Sequence, residues 1–267
     1  MIVDYNKTDN EELLALLESN LYQNVYLVID AETYGFEGEY VSTWILKDAR
    51  DNVQCIIYRY YNTIQLFTTV YISDIAIYEL SEFLKSHSFE MISGDSKTIS
   101  KLHILLKDDY KDDYGYIYVC EKSDDMVKSE FINVATVDEL YAAAKLICTD
   151  TNIGGHYDVN ILALQLKERM LYKGCRNIIY RKDDKIIGHI ATYAETKDMA
   201  VLGGLITDSS YRGSGVGKSI FKYVTFLLHK DHKQPILYCY NSSLHKWYES
   251  MGWEKVTSCG KLERVNK

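Results

Sequence analysis

Along the chain, apolar positions switch between a spacing of two and a spacing near 3.6, so the pattern predicts alternating strands and helices. Asp9-Asn10 ahead of EELLALLES predicts a capped amphipathic helix. NVYLVIDAET, VSTWILKDARD, NVQCIIYRYYNT and IQLFTTVYI then read as four successive strands, with turns at Asp51-Asn52 and Asn62-Thr63. Helix (73–84), strand (EMISGD), helix (SKTISKLHILLKD) and strand (YGYIYVCE) complete the first half. The second half broadly repeats this order. FINVAT is a strand, VDELYAAAKLICT and YDVNILALQLKERMLYK are helices, and RNIIYRKDDKIIGHIATYAET is a hairpin turning at Asp183-Asp184. PILYCYN, the helix SSLHKWYESM and a strand near TSCGKLERV close the chain. The repetition predicts two tandem domains, 1–125 and 126–267, joined through the polar run 121–128.

One stretch, Met199 to Leu228, departs from plain alternation. Ala200 to Thr207 is apolar and strand-like, Asp208, Ser209 and Ser210 break it, and Ile220, Val224, Leu227 and Leu228 recur at helical spacing beside Phe221. Gly213, Gly215 and Gly217 therefore fall at a helix N-terminus. The first amides of a helix have no intrahelical partner and the macrodipole there is positive, so this layout suits an anion, with Arg212 and Lys218 adding charge. Glycines this dense are costly unless something must come close to the backbone. GVGKS looks like part of a nucleotide-binding P-loop, but Arg212 stands where the first glycine of that motif belongs. The next strand also ends in Asn241 rather than a magnesium-holding Asp.

The spacing met in full is R-x-x-G-x-G, by Arg212, Gly215 and Gly217, and here the sequence resembles the GNAT acetyltransferase superfamily. NSSLHKWYESMGWEKV resembles that family's second acetyl-CoA segment, with Asn241 at a strand end, Tyr248 in the following helix, and Gly252-Trp253 where Gly-Phe is usual. The resemblance implies an α+β fold, each domain a mostly antiparallel mixed sheet flanked by helices. It implies acetyl-CoA as acyl donor, with backbone groups of Leu205, Ile206 and Thr207 along the pantetheine arm. Arg212, Gly213, Ser214, Gly215, Val216, Gly217, Lys218 and Ser219 would hold the pyrophosphate, and Tyr248 would protonate the leaving thiolate with Asn241 close by. The implied reaction is transfer of the acetyl group to a primary amine of a small molecule, an amino acid or a peptide, by direct attack in a ternary complex. Only the second copy has the glycine turn; in the first, IQLFTTV runs through Tyr71-Ile72-Ser73 into a helix, so residues 1–125 read as a degenerate copy.

The general base is open. The strand before the glycine turn lacks the glutamate many family members carry, leaving Glu195 or Asp208 acting through water, or water itself. His189 reads as a packed strand residue, and His156 lies in a turn that this family uses for substrate. The missing carboxylate also keeps open a catalytically silent acyl-CoA binder or sensor.

Composition narrows the partners. A formal net charge of −8 argues against nucleic acid and leans toward a cationic amine. The six cysteines are scattered with no C-x-x-C pair, so the expectation is free thiols, no metal and a reducing compartment. No run approaches eighteen apolar residues and the N-terminus has no basic leader, so no membrane association and a cytoplasmic location are expected. The acceptor's identity, the acyl chain length and the oligomeric state, a homodimer among the options, are left open.

Overall fold

The computed structural model describes residues 1–6, 10–69, 72–87, 89–121, 129–151 and 158–265. The chain forms two compact units, one of Met1–Tyr118, Tyr238–His245 and Lys255 onward, the other of Val119–Leu237 and Lys246–Glu254.

The first unit runs β1 (Ile2–Asp4), α1 (Asn10–Glu18), α2 (Leu21–Tyr34), β2 (Val41–Lys47), β3 (Val53–Tyr60), β4 (Thr63–Thr68), α3 (Asp74–Lys85), β5 (Met91–Asp95), α4 (Ser96–Leu106) and β6 (Tyr110–Val119). The helix α1 starts at Asn10, and the expected cap Asp9 lies outside the described residues. The strand expected over NVYLVIDAET is instead most of α2, and this is a correction. A run of Val25, Leu27, Val28, Ile29 and Ala31 satisfies either period, and packing decides: these residues bury a helical face, with α2 against α1 and β4. The three-residue β1, paired to β2, was not anticipated. The turn expected at Asp51-Asn52 holds, with Asp51 at positive φ, whereas the one expected at Asn62-Thr63 falls one residue earlier, at Tyr61-Asn62, with Tyr61 at positive φ and Thr63 already in β4.

The second unit runs β7 (Ile132–Val134), α5 (Leu140–Ile147), α6 (Val159–Lys173), β8 (Asn177–Lys182), β9 (Lys185–Glu195), β10 (Met199–Thr207), α7 (Val216–Lys230), β11 (Gln234–Cys239) and α8 (His245–Glu249), the last beginning on a residue of the first unit. Its strand order is β11-β10-β9-β8-β7, antiparallel except for the parallel pair β10–β11. Asp183 and Asp184 both take positive φ, so the β8–β9 hairpin turns where expected. Ala143, Ala144 and Ile147 of α5 and Leu162 and Leu166 of α6 share a core cluster with Ile179 and Ile206.

The chain's last strand, β12 (Glu254–Arg264), returns to the first unit and completes the order β1-β2-β3-β4-β5-β12-β6. It is antiparallel to β5, while β4 and β5 are parallel. Ile64, Ile92 and Leu262 sit side by side across β4, β5 and β12 and join the core with Leu80, Leu84, Ile99 and Leu102 of α3 and α4. The described pairing of β4 with β5 covers only Thr63–Gln65, and that of β10 with β11 ends at Leu202–Leu237. Each unit thus has one parallel strand pair with a short ladder; in the first unit β4 and β5 stay in contact beyond it, Thr68 Oγ1 donating to Asp95 Oδ2 at 2.7 Å. In each unit the strands are mixed and mostly antiparallel, with flanking helices, as the α+β expectation requires. Among the described residues no helix is long and apolar enough to cross a membrane.

Candidate functional site

The glycine turn follows β10. Asp208 caps a 3-10 turn, Ser209–Tyr211, through Oδ1, which accepts from Ser210 N at 3.0 Å. Gly213 (φ +79°) and Gly215 (φ +88°) then take the left-handed conformation, and Gly215 starts α7 with no side-chain cap. An added Cβ at either would meet nothing within 4 Å, so glycine is required by backbone conformation, and the space above it is open. Gly217 has the opposite reason: its Cβ would come within 3.1 Å of Thr207 Oγ1, so glycine lets the helix start lie against the strand end. Val216 is buried, and a Cβ on Gly188 of β9 would approach it to 2.7 Å. The first turn of α7 is therefore clamped to the sheet while Gly213, Ser214 and Gly215 stand exposed.

Electrostatics match this geometry. The first turn of α7 holds no acid and the exposed Lys218, a placement that opposes the macrodipole unless an anion joins it. Arg212, 58% exposed, reaches Asp150 at 2.9 Å and the Thr207 carbonyl at 3.4 Å. Ser214 Oγ donates to the Tyr211 carbonyl at 2.5 Å, and Ser219 N to the Gly215 carbonyl at 2.9 Å.

Upstream, β10 carries a bulge. Gly203 lies opposite Ala191 and Ile206 opposite His189, so one extra residue of β10 is accommodated between them and Gly204 turns to φ +64°. A Cβ on Gly203 or Gly204 would collide with the ring or hydroxyl of Tyr193, so these glycines answer to a neighbouring side chain. Leu205 and Thr207 are half-buried and Ile206 is core. Beyond Leu202 the described pairing to β11 has stopped, which leaves this edge of β10 with backbone donors and acceptors to offer.

His189 holds the bulge from behind. It is fully buried, Nδ1 lies 3.1 Å from the Gly204 carbonyl, and Nε2 lies 3.0 Å from the Asn177 amide. Burial pushes its pKa down to about 4, so the ring is neutral at pH 7 while it bridges the Gly204 carbonyl and Asn177 Oδ1. A histidine whose folded pKa lies below its unfolded value leaves stability undiminished above pH 6.5 and removes it as pH falls toward 4. The expected loss grows to roughly 3 kcal/mol near pH 4 and is absent in His189→Gln, as denaturant midpoints measured across that window would show.

The candidate bases are already engaged. Glu195, 3% exposed, binds Arg176 at 3.2 Å, Lys233 at 2.7 Å and Thr192 Oγ1 at 2.5 Å. It also sits opposite Ala200, at the end of β10 away from the glycine turn, about 23 Å of strand from Thr207. Asp208 gives its second oxygen to Lys185 at 2.6 Å, and that hydrogen bond holds its carboxyl below the usual range. His156 lies outside the described residues. Tyr248 is buried in α8, its ring 5.4 Å from Phe221 of α7, 5.1 Å from Trp247 and 6.5 Å from Trp253. Asn241, exposed and in the first unit, caps the 3-10 turn Ser242–Leu244, its Oδ1 accepting from Ser243 N at 3.0 Å. Sequence reasoning missed Tyr193, Asn177 and Asp150; the Gly203-Gly204 pair was the available signal for the first.

Residues 156–264 match a family model described as an acetyltransferase (GNAT) domain. A search of curated proteins returns no match. Among solved structures the chain is similar to a Drosophila protein (TM-score 0.69, 11% identity, 99% of this chain and 98% of that one). It is similar to a GCN5-related N-acetyltransferase from Sphaerobacter thermophilus (TM-score 0.66, 11% identity, 100% and 96%). A GNAT-family acetyltransferase from Colwellia psychrerythraea is also similar (TM-score 0.63, 13% identity, 99% and 100%). At these identities the structural likeness shows the fold.

Proposed function

We propose that this chain, whose residues 156–264 match the GNAT acetyltransferase domain, is an acyltransferase that moves an acetyl group from acetyl-CoA to a primary amine of a small molecule, an amino acid or a peptide. The observation that carries the reading is the uncapped start of α7, where Gly213 and Gly215 hold a left-handed turn in open space beside Lys218. Residues Arg212–Ser219 would hold the pyrophosphate there, and the free edge at Leu205, Ile206 and Thr207 would align the pantetheine arm. Acetyl-CoA supplies an activated thioester when bound. One amide at the bulge would polarise its carbonyl, the amine nitrogen would form the new bond as the carbon–sulfur bond breaks, and Tyr248 would give the thiolate its proton. The amine's proton would pass to water, because Glu195 and Asp208 are both committed to ion pairs.

The first unit supports the reading of a degenerate tandem copy. It repeats the parallel strand pair within a mostly antiparallel set, but Ser73 caps α3 by accepting from Ala76 N at 3.2 Å, and Asp74 occupies the first turn. A capped helix start bearing an acid repels a phosphate, so acyl-donor binding falls to 126–267 alone. All six cysteines are free, which fits a reducing cytoplasm.

Coenzyme A release, followed by thiol detection over a panel of amines, tests the function. Tyr248→Phe keeps the ring packed on Phe221 and is expected to lower kcat about 100-fold with little change in KM for acetyl-CoA. Unchanged turnover would remove Tyr248 from the chemistry. The engagement of both carboxylates favours a second reading, a silent acyl-CoA binder, and tight binding without thiol release from any amine would put it first.

A further inference from the structure

The sheet of the second unit presents the β10 bulge to two different faces. On β8, Ile179 joins the α5–α6 core, while Gly188, across from the next residue Tyr180, faces α7, where an added Cβ would meet Val216 and Ile220. Neighbouring residues on a strand point to opposite faces, so α7 packs on one face and α5 and α6 on the other. Tyr193 belongs to the α5–α6 face, packed against that core. With no Cβ on Gly203 or Gly204, its ring lies across β10 and its hydroxyl comes over the bulge. The helix start suited to a diphosphate is thus on one side of the bulge and the Tyr193 ring on the other.

Over that ring sits the guanidinium of Arg169, from α6, its Cζ 4.9 Å from the ring centroid. The unit's other arginines each hold a carboxylate: Arg176 pairs with Glu195 and Asp231, Arg181 with Glu139, and Arg212 with Asp150. Arg169 is half-buried, and among the described residues no carboxylate pairs with it. An aromatic face attracts a cation without using up its N–H donors, so the guanidinium keeps its fork for a second partner. A fork of N–H groups fits two oxygens of one anion. One cation matches the single charge of a carboxylate, whereas a phosphate group calls for more, and the helix start that could supply it lies on the α7 face.

We propose that Arg169 selects the acceptor, and that the acceptor is an amino acid with its carboxylate free. The inference rests on the acetyl transfer proposed above and names its substrate class. The carboxylate pairs with the guanidinium, and the Tyr193 ring sets the spacing from that anchor to the bulge. The neutral amino group then forms the carbon–nitrogen bond as the donor's carbon–sulfur bond breaks, its proton passing to water while the thiolate takes up another. A peptide N-terminus or a simple amine carries no carboxylate beside its nitrogen and leaves Arg169 unused.

Thiol release at saturating acetyl-CoA, measured for each common amino acid beside its own carboxamide and its decarboxylated amine, tests the site. At least one amino acid is expected to exceed both analogues in kcat/KM by at least about tenfold, the worth of a charge-assisted hydrogen bond. Arg169→Gln should raise the KM for that amino acid by at least about tenfold and bring the acid-to-carboxamide ratio close to one, and Arg169→Lys should recover part of the ratio. An arginine that merely packs on Tyr193 would move the melting temperature and not the ratio. If Arg169→Gln fails to fold, Arg169→Lys and the parent's own ratio decide. A carboxamide or simple amine that turns over as well as any amino acid, or a ratio that survives Arg169→Gln, overturns the inference and leaves acetyl transfer standing. Thiol release from no amine at all overturns the transfer and this inference with it.

Discussion

Gly215→Glu is expected to lower kcat/KM for acetyl-CoA by about 10³-fold, roughly 4 kcal/mol of transition-state stabilisation, while the protein stays folded. Two effects of the substitution on stability oppose each other. A side chain at φ +88° costs about 1–2 kcal/mol, and a carboxylate at the uncapped, dipole-positive start of α7 returns about 0.3–1 kcal/mol. The melting temperature should therefore fall by only a few degrees, since an added side chain meets open space. Binding suffers both ways, because the carboxylate occupies the amides and repels a pyrophosphate. Gly215→Ala separates the causes: it carries the strain without the charge, and should lose no more than about tenfold in KM for acetyl-CoA. Thiol-release kinetics with melting curves on both variants make the measurement, and a Gly215→Glu protein that keeps its turnover would show that the glycine turn does not hold the donor.

That turn was legible in the sequence because glycine at positive φ leaves a local signature, as did the Asp183-Asp184 hairpin. Non-local relations were not. The pattern of TSCGKLERV identifies β12 as a strand, yet nothing in it says that Cys259 pairs with Asp95, or that the chain's end returns to the first unit. Over 24–33 the apolar run fits both periods, and only the surfaces offered by α1 and β4 make it a helix. At the site, residue type gave the candidates and the fold gives them partners. Glu195 and Asp208 are carboxylates in suggestive places, and the cations that the fold brings alongside each could not be read from the sequence. His189 was read as packed, and its hydrogen bond to the Gly204 carbonyl emerges only when the bulge is counted out in register.

Glu195→Ala is the substitution expected to cost most in stability, and it separates the structural reading of this carboxylate from the catalytic one. Glu195 is 3% exposed and collects Arg176, Lys233 and Thr192, so its removal strands two cations that are themselves only 18% and 19% exposed. Breaking a buried pair from one side costs about 3–5 kcal/mol. The lower end applies here, because Arg176 keeps Asp231 at 2.7 Å and both cations retain some contact with water. At 2–4 °C per kcal/mol for a chain of this size, the melting temperature should drop by about 10 °C. Removing the stranded charge as well, in Glu195→Ala with Lys233→Met, should recover part of that loss, since the two residues act as one unit. Activity should behave differently. Measured well below the melting point, kcat should stay within about twofold of the parent, because roughly 23 Å of strand separates Glu195 from the end of β10 where the glycine turn begins. A kcat reduced a hundredfold or more, with the melting temperature unmoved, would make Glu195 the general base after all.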